Sequence, residues 1–447
     1  MEGTNARAEG EVVELLQQLI RNACVNDGRV ESGHEERSVR TLTDYLEGPG
    51  LHLERFESAP GRQSLVARIE GTRPDAPTLL LMGHTDVVPV HEEGWREDPF
   101  GGELIDGEVW GRGAVDMLNL TASMAVALKQ LAREGFRPEG TLVYLAVADE
   151  EAHGTYGAGD LVANHYDAVR ADYVITESGG IPIPSPAGLK LPIIVGEKGL
   201  YWCRLRISGT PGHGSQPYRT DNALVKAAQV VQRLHEFRPE TRIHDVWRRF
   251  IESMGYPDEI TEPLLSSDGF ESLMESLPVG MARQFHACTH LTIAPTVVQG
   301  GDKINTIPHT VELDVDVRTL PGQTIEEARA ALVEALGELA SSVELITLQA
   351  IESTSSQIDT PLWDSLSRVT QQWYPGSETV PYLTVGSTDA KYFRGKGVTS
   401  YGFGLFSRKM TFEDYGSMFH GDNERVDVES LSLSTALWTQ VARDLLG

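Results

Sequence analysis

Residues 141–151 read TLVYLAVADEE: an apolar run that does not alternate, followed at once by a cluster of carboxylates. A short run of this kind is the pattern of a strand buried on both faces. Three others resemble it, LVARI at 65–69, TLLLM at 78–82 and DYVIT at 172–176. Between two of these runs, residues 117–133 (MLNLTASMAVALKQLAR) are rich in Ala and Leu with an apolar stripe, and Gly135 follows as a stop. Strands alternating with helices predict an α/β fold, with a largely parallel sheet covered by helices on both faces. Residues 11–24 add an amphipathic N-terminal helix.

The texture changes near residue 197. LYWCRLRIS at 200–208, HLTIAPTVV at 290–298 and VELDVDVR at 311–318 alternate, as antiparallel strands with one wet face do. Helices fit 221–236 and 324–339, and a strand fits 342–349. The order β-α-β-β-α-β predicts a small α+β domain over 197–352, interrupted by a charge-rich helical insert at about 238–286. Residues 353–447 return to helix–strand alternation and end in a helix at 427–445. The expected organisation is therefore a discontinuous larger domain (1–196 and 353–447) with a smaller one inserted into it.

The chain has 447 residues, 40% of them hydrophobic and 23% charged, as globular proteins do, and a formal charge of −27. That charge repels nucleic acid and anionic membranes, so neither is an expected partner. Three cysteines (Cys24, Cys203, Cys288), odd in number and far apart, form neither a disulfide framework nor a CxxC metal site. No signal peptide opens the sequence and no apolar run reaches membrane-spanning length, so a cytoplasmic location is expected.

Metal-capable side chains stand where these strands end. His84 and Asp86 lie in GHTD after TLLLM, Glu150 and Glu151 in ADEE after TLVYLAVA, and Glu177 after DYVIT. In an open parallel sheet, sites form in the crevice beyond the carboxyl ends of the strands. Asp116 opens the Ala-rich helix, and His420 sits in FHGDNE before the last helix. Two imidazoles and several carboxylates without a thiolate suit zinc, cobalt or manganese, and a bridging carboxylate would let them hold two ions. Two adjacent metals can polarise a carbonyl and activate a shared water, which is the chemistry of amide hydrolysis. Of two neighbouring extended glutamates, one can bind metal while the other acts as general base. Asp86 is placed to hydrogen-bond the His84 nitrogen turned away from metal.

Eight segments in order, GHTDVVPV, WGRGAVDM, VADEE, TESGG, GHGSQPYRTDNAL, VDVRTLPG, GSTDAKYF and FHGDNERV, resemble the family of aminoacylases, acetylornithine deacetylases, succinyl-diaminopimelate desuccinylases and glutamate carboxypeptidases. The resemblance implies two zinc ions per chain. His84, Asp116 and Glu177 would hold one; Asp116, Glu151 and His420 would hold the other. It implies Glu150 as general base and Asp86 as the orienting carboxylate. It also implies an oxyanion-stabilising His213 that reaches across a dimer, a substrate-binding Asn305, and Arg318 on the substrate carboxylate, a pairing guanidinium geometry favours. Gly386 and Ser387 would line the cleft. The dimer would form through a ferredoxin-like lid domain. Many relatives carry Lys two residues after the bridging aspartate; here Leu118 stands there.

The implied function is hydrolysis, by a zinc-bridging water that Glu150 activates, of the amide bond in an N-acyl amino acid or small peptide with a free carboxylate. A dipeptidase or carboxypeptidase of the same family is the alternative, and a non-catalytic binding relative the more distant one. Singly, His420 reads as a surface group and Asp116 as a helix cap; the companion segments change both readings. His34, His91 and His153 carry no assigned role. The glycines of GRGAVD lack the spacing of a phosphate-binding loop.

Overall fold

The computed structural model describes residues 2–447. Its larger sheet has ten strands. The first eight along it are His52–Ala59, Arg62–Ile69, Thr141–Val147, Thr78–His84, Tyr173–Thr176, Thr399–Gly402, Gly188–Glu197 and Thr354–Ser355. Ile183–Ser185 and Glu378–Thr384 also pair with Gly188–Glu197. The four strands from Thr141–Val147 to Thr399–Gly402 are parallel, and antiparallel strands flank them. The central sheet is thus largely parallel, as its apolar runs require.

Alternate residues of the central strands feed opposite faces, as a period of two dictates. Leu79, Leu81, Leu142, Tyr144 and Ala146 join one apolar cluster, and Leu80, Met82, Val143, Leu145 and Val147 join another. Helices Leu118–Arg133 and Val428–Leu446 cover the first face. Trp438, fully buried, donates its indole N–H to Ser123 Oγ at 2.9 Å. Burying a large apolar side chain contributes about 1.5–3 kcal/mol, so this helix pair is a firm base for the loop that precedes it. That loop carries Asp116. Among the described residues, no helix is long and apolar enough to cross a membrane.

The smaller sheet orders its strands Thr292–Gly300, Thr310–Thr319, Gly199–Ser208 and Val343–Ile351, all antiparallel. With helices Ala223–Glu236 and Ile325–Leu336 on one face, the chain order β-α-β-β-α-β takes a ferredoxin-like arrangement. Val311, Leu313, Val315 and Val317 point inward, while Asp314, Asp316 and Arg318 share the wet face.

The insert folds differently from a simple interruption of this unit. Its helices Asp245–Met254, Asp258–Leu264, Phe270–Ser276 and Val279–Thr289 share a cluster with Ile194, Val380 and Tyr382 of the larger sheet. Phe250 meets Tyr382 edge-on, with ring centroids 4.7 Å apart. Periodicity shows which helix face is apolar but not which surface receives it.

Candidate metal centre

Asp116 stands at the middle of the site because Glu424 holds its loop. The Glu424 carboxylate, fully buried, accepts the backbone N–H of Gly113 (2.9 Å), Val115 (2.6 Å) and Asp116 (2.9 Å), and the Arg112 guanidinium (2.9 Å). Burial pushes its carboxyl up to about 7, against those hydrogen bonds. Arg112 also donates to the His420 carbonyl at 3.4 Å, so Glu424 and Arg112 tie two distant motifs together. This role was not foreseen from sequence, although Glu424 lies inside FHGDNERV. Replacing Glu424 with glutamine turns an N–H toward other N–H donors. Metal affinity and turnover are expected to fall by about 10–100-fold, measured by chelator competition and initial rates.

Around Asp116 the ligand-capable groups fall into two clusters that share it: His84, Asp116 and Glu177, and Asp116, Glu151 and His420. In each, the ligand atoms lie within 4.8 Å of one another. His84 Nε2 is 3.1 Å from Asp116 Oδ1, and His420 Nε2 is 3.2 Å from Asp116 Oδ2 and 3.1 Å from Glu151 Oε2. His84 ends its strand, Glu177 follows the next, and His420 sits at a positive φ of 56° after helix Phe412–Met418.

The expected extended conformation at Glu150 and Glu151 is not observed. Asp149 takes φ 70°, which ends the strand, and Glu150–Ala152 form a single 3₁₀ turn. Asp86 holds that turn: Oδ1 accepts Glu150 N–H at 3.2 Å and Oδ2 accepts Glu151 N–H at 3.1 Å. The His84 Nδ1 position also differs from expectation. It meets the Asp86 main-chain oxygen at 2.8 Å, while the Asp86 carboxylate is 3.7 Å away. The carboxylate is drawn off by the two N–H groups, and the main-chain oxygen takes over the orienting bond.

Burial, then the neighbouring Glu177, lifts the Glu150 carboxyl well above the carboxylate range. Burial and Asp116 do the same to Glu177. Burial would also lift Asp116, but hydrogen bonds from His420 and His84 hold it low. Asp116 and Glu151 push His420 up to about 10. Four carboxylates thus share two imidazoles, and Glu151 Oε1 is buried without a hydrogen-bond partner. A donor set of oxygen and imidazole nitrogen with a carboxylate surplus fits divalent cations of the zinc, cobalt or manganese kind.

Among the described residues, none of those expected in the lid is hydrogen-bonded to this cluster. His213 is exposed in a two-residue strand paired with Thr306–Ile307, its Nδ1 2.7 Å from Ser215 Oγ. Asn305 is its neighbour, accepting Gly214 N–H at 2.8 Å. Among the described residues, neither side chain bonds to the ligand cluster. Arg318 pairs bidentately with Asp316 at 2.8 and 3.1 Å, so its guanidinium already holds a carboxylate. Beside Asp316, Trp202 meets His153 edge-on at 4.7 Å, which rests the small sheet on the loop of Glu150. Burial, with Lys391 and Arg318 nearby, lowers His153 to about 4. Gly386 and Ser387 follow strand Glu378–Thr384; Gly386 is half-buried, with Thr384 Oγ1 3.9 Å from where a Cβ would lie, and Ser387 Oγ is buried without a partner. Asp389 and Lys391, not foreseen from sequence, are buried beyond them, and both Asp389 carboxylate oxygens lack a hydrogen bond.

Pig (Sus scrofa) aminoacylase-1 is 27% identical over 411 residues, covering 91% of this chain and 90% of that one. Human N-fatty-acyl-amino acid synthase/hydrolase PM20D1 is 29% identical over 377 residues, covering 81% and 73%. The M20 family metallo-carboxypeptidase Sso-CP2 from Sulfolobus solfataricus superposes with a TM-score of 0.72 at 19% identity, over 97% of this chain and 99% of that one, and so shares the fold. The profile of Peptidase family M20/M25/M40 matches residues 80–444, which include His84, Asp116, Glu150, Glu151, Glu177 and His420: the chain belongs to that family.

Proposed function

We propose that this protein is a two-zinc hydrolase that cleaves the amide bond of an N-acyl amino acid, with a free carboxylate on the substrate. The observation that carries this is the sharing of Asp116 by two ligand clusters beside a half-buried glutamate, Glu150, that belongs to neither. His84, Asp116 and Glu177 would hold one zinc, and Asp116, Glu151 and His420 the other, with cobalt or manganese as possible substitutes. When bound, such a pair supplies Lewis-acid polarisation of the scissile carbonyl and an activated water.

The chain's own groups do the rest. Glu150 accepts a proton from the attacking water and returns it to the leaving nitrogen. Arg318 exchanges Asp316 for the substrate carboxylate, a bidentate partner of the same shape. Gly386, Ser387 and Asn305 border the acyl and amide groups. His213, from a second copy of this chain, donates to the oxyanion, a contact worth roughly 3–4 kcal/mol when removed. In this reading 197–352 acts as lid and dimerisation unit on the body formed by 1–196 and 353–447, in a cytoplasmic homodimer. Resemblance to aminoacylase-1 and PM20D1 supports an acyl-amino-acid substrate. Dipeptidase or carboxypeptidase action remains the second reading, supported by the likeness in fold to a metallo-carboxypeptidase.

The test is release of free amine from N-acetyl, N-succinyl and longer N-acyl amino acids and from dipeptides, with zinc, with cobalt and after chelation. Metal-dependent turnover is expected, with acyl amino acids preferred. A preference for dipeptides moves the protein to the second reading. Silence across the set in protein carrying two zinc ions overturns both.

A further inference from the structure

Behind the turn that carries Glu150 and Glu151 lies a buried polar cage that no step of the proposed reaction uses. It is supplied by residues 24–62. Val25 pairs in a short parallel bridge with Val87, and Asn26 N–H donates to the Val87 carbonyl at 2.9 Å, which sets Asn26 beside Asp86. The Asn26 amide then spans two carboxylates. Its Nδ2 donates to Asp86 Oδ2 at 2.8 Å and to Asp149 Oδ1 at 3.2 Å.

The amide orientation is fixed by chemistry. Asn26 Oδ1 meets only donors: Arg62 Nη2 at 3.2 Å, Gly28 N–H at 3.0 Å and Ser32 Oγ–H at 3.3 Å. Arg62, itself buried, also donates to Asp149 Oδ1 at 2.7 Å and to Glu35. Gly33 makes room for that pair: at φ +85°, a Cβ there would lie 1.9 Å from Arg62 Nη1. Asp149 in turn accepts Tyr156 N–H at 2.8 Å, and Glu35 accepts Asp149 N–H at 3.3 Å.

We propose that Asn26, backed by Arg62, is a positioning residue for the metal-ligand turn: it locks Asp86 and Asp149, so that Asp86 presents Glu151 to one metal and Glu150 to the reacting water. This rests on the assignment of Glu151 as ligand and Glu150 as base. The amide donates to both carboxylates at once, while the Arg62 guanidinium offsets the charge of Asp149 but makes no hydrogen bond to Asp86. Without it the two would repel, and Asp86 would release the Glu150 and Glu151 N–H groups. The consequence is selective. Glu151 lies in the turn and belongs to the cluster with Asp116 and His420, whereas His84 and Glu177 lie outside the turn, and His84 is held by the main-chain oxygen of Asp86 rather than by the carboxylate that Asn26 locks.

The test is zinc titration of the full-length protein against a competing chelator. Asn26→Leu, nearly the same shape, is expected to weaken one of the two zinc ions by about 10–100-fold and leave the other within about twofold. On a substrate the wild type turns over, kcat falls by a similar factor and KM stays within about twofold. Equal weakening of both ions, or of neither, overturns the proposal. Should Asn26→Leu fail to fold, Asn26→Asp is judged by the same criteria. A wild-type chain that takes up fewer than two zinc ions overturns the two-metal reading and this proposal with it. Two ions in the wild type with an unselective variant overturn this proposal alone.

Discussion

Glu150→Gln is expected to lower turnover by about 10²–10⁴-fold while two metal ions per chain stay bound. Glu150 belongs to neither ligand cluster, so its carboxylate can be neutralised without removing a donor from a metal. Its backbone N–H, which Asp86 accepts at 3.2 Å, is untouched by the change, so the turn should keep its shape. What disappears is a proton acceptor. Burial and Glu177 lift the Glu150 carboxyl well above its ordinary range, a direction that suits a group that must take up a proton and give it back. A general base acts only in its charged form, so wild-type kcat should decline on the acid side as Glu150 takes up a proton. Glu150→Gln should lack that limb. The measurements are kcat over pH and metal content by mass spectrometry. Residual activity above about a tenth of wild type would remove Glu150 from the base role, since a general base contributes at least ~10²-fold.

How far the sequence carries depends on the range of the interaction concerned. The parallel strands were legible because buried runs such as TLLLM and TLVYLAVA report only their own environment. The ferredoxin-like order was legible because alternation in VELDVDVR shows one wet face. The docking of the insert on Ile194, Val380 and Tyr382 was not, since an apolar helix face does not name its receiver. The residues of the two candidate clusters could be named through their segments, but the groups that hold them in place could not. Glu424 accepts N–H groups about 310 positions away in the chain, and Asn26 reaches Asp149 across 123. Such bonds leave no local pattern. The turn at Asp149 was missed for a different reason: a positive φ at a non-glycine residue is imposed by its partners, here Arg62, Asn26 and Tyr156 N–H.

Asp116→Ala should cost the protein both metals, the largest single-residue effect expected on metal content. Asp116 is the one residue common to the two clusters: Oδ1 faces His84 at 3.1 Å and Oδ2 faces His420 at 3.2 Å. Without it each cluster keeps two ligands, His84 with Glu177 and Glu151 with His420, below the three that zinc sites in enzymes ordinarily use. His420→Ala makes the contrast, since it strips a ligand from one cluster only and should leave one metal bound. Zinc should raise the unfolding temperature of the wild type, because a ligand at 100 times its Kd stabilises the native state by about 2.7 kcal/mol. For Asp116→Ala zinc should leave the unfolding temperature unchanged. Loss of the carboxylate also strips the two imidazoles of their shared acceptor, so Asp116→Asn, which keeps the shape and one oxygen, is the check that lost metal does not merely reflect lost fold. If Asp116→Ala retains one tightly bound zinc with zinc-dependent stabilisation, the two clusters do not share this carboxylate, and the paired-metal arrangement falls.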